Sequence, residues 1–319
     1  MAPALHNAGQ GLQWLRRQLA RGVSMLLLLG LAAAAAATVC PPQVPPAAAV
    51  PRDRGLLWRI TRDGHSSWLF GTLHVGKPAW RGFGPHLVAA LQASDVLALE
   101  IDPDDPALAA ALADTGPPPV LPPALKARLA RAYVQACVAP EAMAGLHPVL
   151  QATTLTVLDA RWLGMDANDA QEQLLLKRMR ALGHPVVALE TPAQQRAALV
   201  PTDPAEARAV LDQTLAQLED GSGRRVLAHM ARAWAAGDLQ TLEHYDRWCE
   251  CSNGQGERDF MRHLNDDRNP ALADGIAALH ARGLRVFAAV GALHMTGPQS
   301  LPRLLRERGF RVERVRFGP

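Results

Sequence analysis

The sequence predicts an α/β fold built on a central mixed β-sheet, and three observations carry that prediction. Short apolar runs at 68–74, 96–100, 186–190 and 285–294 alternate with longer helical stretches. The first run follows another strand-like segment, Leu56–Thr61, across Asp63-Gly64, a hairpin turn signal that makes the opening pair antiparallel. Each run also ends in a residue that a buried strand does not need: Gly71-Thr72-Leu73-His74 and Gly291-Ala292-Leu293-His294 are both Gly-x-x-His, while the other two runs close on Glu100 and Glu190.

Those endings are costly unless they do something. A carboxylate directly after a buried strand must be paired, hydrated or metal-bound, because burying it alone is expensive. His and Glu are ligands for divalent ions such as zinc and serve equally as general acid and base. Strand ends are where an open α/β sheet presents its chemistry. Glycine three positions before each histidine suits a tight turn or a close backbone approach, and Thr72 or Ala292 beside it keeps the site open. His74, Glu100, Glu190 and His294 are therefore the candidate residues. The competing reading pairs each His with a Glu as satisfied buried groups that hold the strands in register.

The remaining elements follow in order. Pro85–Ala93 reads as a helix with Leu87, Val88 and Leu91 inward. Asp102, Asp104 and Asp105 lack the glycine and closing glutamate of a calcium loop and read as a solvated loop with a helix N-cap. From 107 to 163 the pattern is helical, broken by Pro117–Pro119 and Pro122-Pro123, with Leu155, Leu158 and Trp162 at core positions and His147 as a capping or surface residue. Gly164-Met165-Asp166 opens a new unit. A helix over 170–182 stops at Gly183, Pro185 begins the strand to Glu190, and Thr191-Pro192 starts a further helix. Residues 205–247 are helical, punctuated by Gly221-Ser222-Gly223 and Gly237-Asp238. A helix over 257–268 carries Phe260, Met261 and Leu264 on one side. Its other face, with Arg262, Asp266, Asp267 and Arg268, reads as solvated, and Asn269-Pro270 closes it. Past His294 a helix with Leu301, Leu304 and Leu305 ends at Gly309, and Phe310–Val315 forms a last, edge strand.

Of the 319 residues 49% are apolar and 20% charged, enough for a sizeable core. Arg16, Arg17 and Arg21 are the only charged residues before Arg52, and without them Lys plus Arg balance Asp plus Glu at thirty each, which argues against a nucleic-acid partner. These arginines precede an apolar run over 23–31 and the alanines 32–37, the pattern of an export signal. We divide the chain into a signal peptide or N-terminal membrane anchor over 1–39, a Pro/Ala-rich spacer over 40–54, and one domain over 55–319. Localisation is then the periplasm or the outer face of a bacterial membrane, with membrane association through the N-terminal segment. Cys40 invites a lipidation reading, although Val39 departs from the small residue usual there. Cys137, Cys249 and Cys251 remain, an odd number that predicts one bridge and one spare thiol, with Cys249-x-Cys251 as a loop staple rather than a zinc motif.

The segments Leu57–Ile60, Trp68–His74, Leu99-Glu100, Gly164–Asp166, Val187–Thr191, Asp267–Asn269 and Val290–His294, in this order, resemble the TraB/GumN family, related to the Tiki membrane metalloproteases. The resemblance implies a fold grouped with erythromycin esterases and haem-binding ChaN lipoproteins, an α/β core with a large helical insertion. It also implies that His74, Glu100, Glu190 and His294 meet in one cleft with Arg268 nearby. The expected function is an envelope metal-dependent hydrolase, a peptidase acting on a peptide or protein substrate. His74, His294 and either Glu100 or Glu190 would hold a divalent ion (Mn, Co or Zn), the other glutamate would take a proton from water, and Arg268 would steady an oxyanion or hold a substrate carboxylate. The alternative is a non-catalytic protein that binds haem or another tetrapyrrole, or sequesters a peptide, in the same cleft.

Overall fold

A computed structural model describes residues 39–113, 119–251 and 254–318. The chain divides into two units, Met1–Val39 and Cys40–Pro319; the signal or anchor segment lies outside the described residues. Among the described residues no helix is long and apolar enough to cross a membrane.

The second unit is built on six strands: β1 (Leu56–Arg62), β2 (His65–Thr72), β3 (Val96–Leu99), β4 (Val186–Ala188), β5 (Val286–Gly291) and β6 (Arg311–Val315), in the order β4-β3-β5-β2-β1-β6. Four neighbours, β4, β3, β5 and β2, run parallel, while β1 is antiparallel to both β2 and β6. The sheet is therefore mixed. Asp63 and Gly64 both have positive φ (53° and 79°), the two-residue turn that matches strand twist in a hairpin. Every residue of β3 is buried, as are the first five of β5. These central parallel strands are covered on both faces and need no polar alternation.

Helices fill the long connections between β3 and β4 and between β4 and β5. Pro123–Ala136, Pro148–Asp159 and Pro204–Asp220 pack a second apolar cluster around Tyr133, Leu155, Leu211 and Leu215. His147 caps its helix, with Nδ1 accepting the Val149 N–H at 3.2 Å, and Asp105 accepts the Ala107 N–H at 2.8 Å. Three expectations need correcting. Ala90 rather than Val88 joins Leu87 and Leu91 inside the Pro85–Gln92 helix. Trp162 is 38% exposed, because it lies on a surface turn with the Arg224 guanidinium 5.5 Å from its ring. The cysteine count also differs: Cys249 bonds Cys251 as the expected loop staple, but Cys137 bonds Cys40, 97 residues away, so no spare thiol exists among the described residues. The Cys40 sulfur, being in a disulfide, is closed to lipid attachment in this form.

The starts of β3 and β5 are clasped together. Asp95 N–H donates to the Arg285 carbonyl (2.7 Å), and the Asp95 carboxylate accepts the Arg285 backbone N–H (2.8 Å) and its guanidinium (3.0 Å to Nε). The Arg285 hydrogen bond holds the Asp95 carboxyl down at about 2. A lowered carboxyl contributes stability above its ordinary value near pH 4 and loses it as pH falls toward 2. We expect Asp95→Ala to cost about 1 kcal/mol at neutral pH, modest because half of Arg285 is in water. In urea titrations the difference from wild type should be constant from pH 7 to 5 and shrink below pH 4; a difference that persists unchanged to pH 3 would exclude the charge as its cause.

Candidate functional site

Because β4, β3, β5 and β2 are parallel neighbours, their C-terminal ends line one edge of the sheet in that order. Glu190, Glu100, His294 and His74 follow these four ends. Glu190 N–H donates to the Glu100 carbonyl at 2.9 Å, which carries the β3–β4 pairing one step past the strands and sets the two acidic residues side by side.

Arg268 lies between the two carboxylates. Its Nε donates to Glu190 Oε1 (2.9 Å), and Nη2 reaches both Glu190 Oε2 and Glu100 Oε2 (2.5 Å each). Nη1 donates to the Leu264 carbonyl at 2.9 Å, so one of the five guanidinium hydrogens is left for another acceptor. The helix expected to run through Arg268 instead ends at Leu264, and the next begins at Asn269. Arg268 is the elbow residue between them and is buried, not part of a solvated face. Gln195, on the Pro192–Leu199 helix, adds a 2.6 Å bond to Glu190 Oε2. Both oxygens of Glu190 are thus engaged.

The two histidines share one device and differ in exposure. His294 Nδ1 lies 2.6 Å from Asn269 Oδ1, and Asn269 Nδ2 donates to the Gln299 carbonyl, which fixes the amide so that its oxygen faces the imidazole. His294 Nδ1 therefore carries the hydrogen, and Nε2 faces Glu100 Oε2 at 3.8 Å. His74 Nδ1 meets Glu172 Oε1 at 3.0 Å, and the Thr72 hydroxyl donates to the same oxygen. His74 is 70% exposed and His294 only 4%. The Glu172 carboxylate beside it raises the His74 pKa, whereas burial lowers that of His294 despite Glu100. For Glu100, burial pushes the carboxyl up, but His294, Arg268, His74 and the Gly291 N–H (2.6 Å to Oε1) outweigh it and hold it at about 2. The pull of His294 presupposes a protonated ring, which its own lowered pKa removes near neutrality. Arg268 and, with its raised pKa, His74 are the cations that persist.

Gly291 stands where these groups converge. A Cβ there would lie 3.4 Å from Glu100 Oε1, 3.5 Å from the His294 ring and 3.7 Å from His74 Nε2. The glycine serves close approach, since neither it nor Gly71 has a positive φ. Among the described residues no three His, Cys, Asp or Glu side chains are grouped as a ready metal cage, consistent with Arg268 engaging carboxylate oxygens of both Glu100 and Glu190.

Sequence reasoning missed Glu172. Gly76 and Asp166 exchange backbone hydrogen bonds (3.0 and 2.8 Å), and Gln171 N–H donates to the Leu73 carbonyl (3.2 Å), so the Gly164–Asp166 turn is stitched to the loop carrying His74. A Cβ on Gly76 would fall 1.9 Å from the Asp169 carbonyl oxygen, which makes that approach possible only for glycine. Glu172, in the first turn of the Gln171–Ala181 helix, is thereby set against His74. The available signal was a glutamate just after the Gly164–Asp166 motif. Thr72, read as an opening residue, is a hydrogen-bond donor to Glu172. Asn269 stood in a quoted motif without a role, and Gln195 gave no signal.

The uncharacterized protein YbaP of Escherichia coli K12 is 27% identical over 274 residues, spanning 78% of this chain and 97% of its own length. YbaP of Shigella flexneri matches to the same extent. No solved structure matches. A family model for TraB/PrgY/gumN covers residues 56–314, which takes in all six strands up to Arg314 and every residue of the cleft; the chain belongs to the TraB/PrgY/gumN family.

Proposed function

We propose that the protein is a metal-dependent hydrolase of the cell envelope acting on a peptide or protein substrate, with a divalent ion held by His74, His294 and Glu100. The observation that carries this reading is the matched orientation of the two imidazoles. Each has its Nδ1 committed to an oxygen acceptor, Glu172 or Asn269, which leaves both Nε2 atoms on the side of Glu100. Carboxylate or amide support behind a histidine is the usual second layer of a metal site. The charge balance agrees: Glu100, Glu190 and Glu172 outnumber Arg268 and a protonated His74, so the cleft favours further positive charge.

A divalent ion held there would supply Lewis acidity to a substrate carbonyl and acidify a water molecule. The chain's own residues do the rest. Glu172 and Asn269 keep the imidazoles oriented. Glu190, which takes two bonds from Arg268 and one from Gln195 where Glu100 takes a single bond from Arg268, serves better as the anchor of Arg268 than as a base, and the spare Arg268 N–H is placed to meet an oxyanion or a substrate carboxylate. A second reading rests on Glu172 itself: a largely buried carboxylate behind an exposed histidine of raised pKa is also an acid–base pair, able near neutral pH to give a proton to a leaving group without a metal. A tetrapyrrole fits less well, because its anionic propionates would enter a cleft already rich in carboxylates.

Metal uptake of the untagged protein offered manganese, cobalt or zinc separates these readings. His74→Ala and His294→Ala should abolish stoichiometric uptake, and Glu172→Gln should weaken it about 10–100-fold. Turnover of a peptide substrate that survives chelation but is lost in Glu172→Gln would favour the acid–base pair. Absence of uptake together with a red haem complex would refute the hydrolase.

A second expectation concerns Arg268. Glu100, held at about 2, contributes stability above its ordinary value near 4.5 and loses it only as pH falls toward 2. Removing Arg268 leaves two buried carboxylates without their cation, at a cost of about 3–5 kcal/mol. In Arg268→Ala these carboxylates take up protons more readily, so the loss at pH 8 should diminish by pH 5. Arg268→Lys should rescue little, since a lysine cannot reproduce the forked contacts. Equal losses at both pH values in urea unfolding would show that Arg268 acts by packing alone.

A further inference from the structure

Beside the cleft, β4 is the outermost strand of the sheet, and among the described residues no strand pairs with its far side. The β3–β4 bonds fix which main-chain groups are used. Leu97 N–H donates to the Pro185 carbonyl (3.0 Å) and Leu189 N–H to the Leu99 carbonyl (2.8 Å), with Ala98 opposite Val187. Alternate residues of a parallel strand bond to a given neighbour, so Val187 faces β3 while the N–H and C=O groups of Val186 and Ala188 point outward. Ala188 is exposed, in keeping with an open edge. Alongside runs a groove lined by Val187, Ala188, Leu189, Gly275, Leu279 and Arg282, between β4 and the Asn269–Ala281 helix. Gly275 keeps the groove open where a side chain would press on Leu189. At its far end Arg282 enters no ion pair among the described residues. At the near end β4 continues directly through Leu189 into Glu190.

We infer that the free edge of β4 and its groove bind the substrate as an extended polypeptide, which adds a seventh strand to the sheet and so leads into the cleft at Glu190 and Glu100. An unpaired row of main-chain donors and acceptors is complementary to another main chain, and an apolar slot beside it accepts alternate side chains. Arg282 adds a preference for an acidic group at the end remote from the cleft. The inference rests on the peptide-substrate part of the proposed function and names the surface that would select such a substrate.

The test uses a permanently unfolded probe, fluorescein-labelled, reduced and carboxymethylated α-lactalbumin, with the intact protein in chelator so that no turnover intervenes. Saturable binding is expected by fluorescence anisotropy, with none for native, disulfide-bonded α-lactalbumin. Bound probe should slow amide hydrogen exchange at Val186 and Ala188 by about tenfold or more, leaving Val187, already bonded to β3, unchanged. Ala278→Phe, at an exposed helix position on the groove wall, should weaken binding about tenfold without altering the melting temperature. Ala188→Pro, which removes one outward N–H, should weaken it similarly; should it fail to fold, the exchange pattern and Ala278→Phe still decide. No saturable binding up to about 1 mM, binding without protection at Val186 and Ala188, or binding indifferent to Ala278→Phe would each overturn the inference. Metal uptake is read separately: loss of the hydrolase reading with intact strand protection leaves the groove standing, and the reverse outcome removes the groove alone.

Discussion

Two carboxylates on adjacent parallel strands cannot both stay ionised side by side in a buried edge without a cation between them. Arg268 is that cation, and its position dictates much of what surrounds it. It needs a helix to end at Leu264, so that a carbonyl is free for Nη1, and another to start at Asn269, so that the elbow turns toward the sheet. The second helix then brings Asn269 to His294. One arginine thus ties the helical layer to the sheet edge, neutralises Glu100 and Glu190, and stands beside the groups that would do chemistry.

Stability and chemistry therefore overlap on the acidic side of the cleft and separate on the histidine side. A melt of a Glu100 or Glu190 variant reports the loss of an Arg268 partner whatever else the residue does, because a buried guanidinium missing a partner is costly by itself. His74 is different. It is mostly in water, and its removal leaves Glu172 with the Thr72 hydroxyl still donating to it. The simple alternative of His paired with Glu does not describe these contacts: Glu100 and Glu190 pair with arginine, and the one close His–Glu pair uses a glutamate from another element altogether.

What the sequence made legible were features set by local chemistry. Apolar runs closed by His or Glu, a turn at Asp63-Gly64 and a helix stop at Gly183 each declare themselves within a few residues, and each stands in the structure where expected. What stayed hidden were pairings set by topology. Glu172 and Thr72 are 100 residues apart, and nothing in either local pattern names the other. Ser67 looked like an ordinary polar strand residue, yet it is fully buried, bonded to His280 Nδ1 at 2.8 Å and to the Val286 N–H at 2.9 Å, an internal brace with no part in the cleft. Arg268 was misread from its own window because charged neighbours at Arg262, Asp266 and Asp267 are on a surface, and only the helix break turns it inward.

The repeated Gly-x-x-His motif shows how little a motif fixes by itself. Both copies end parallel neighbours, at Thr72 and Gly291, and both histidines are oriented through Nδ1. One ring lies on an open loop before a buried carboxylate and is held toward its charged form; the other is enclosed in the Ala292–Met295 turn before a neutral amide and is held toward its neutral form. Along the sheet edge both rings lie on the same side of Glu100, His294 next to it and His74 beyond, so one short stretch of edge holds a ring of raised and a ring of lowered proton affinity. That asymmetry comes from what stands behind each ring, Glu172 in one case and Asn269 in the other, so the proton affinity of each histidine is set by a residue outside the motif that carries it.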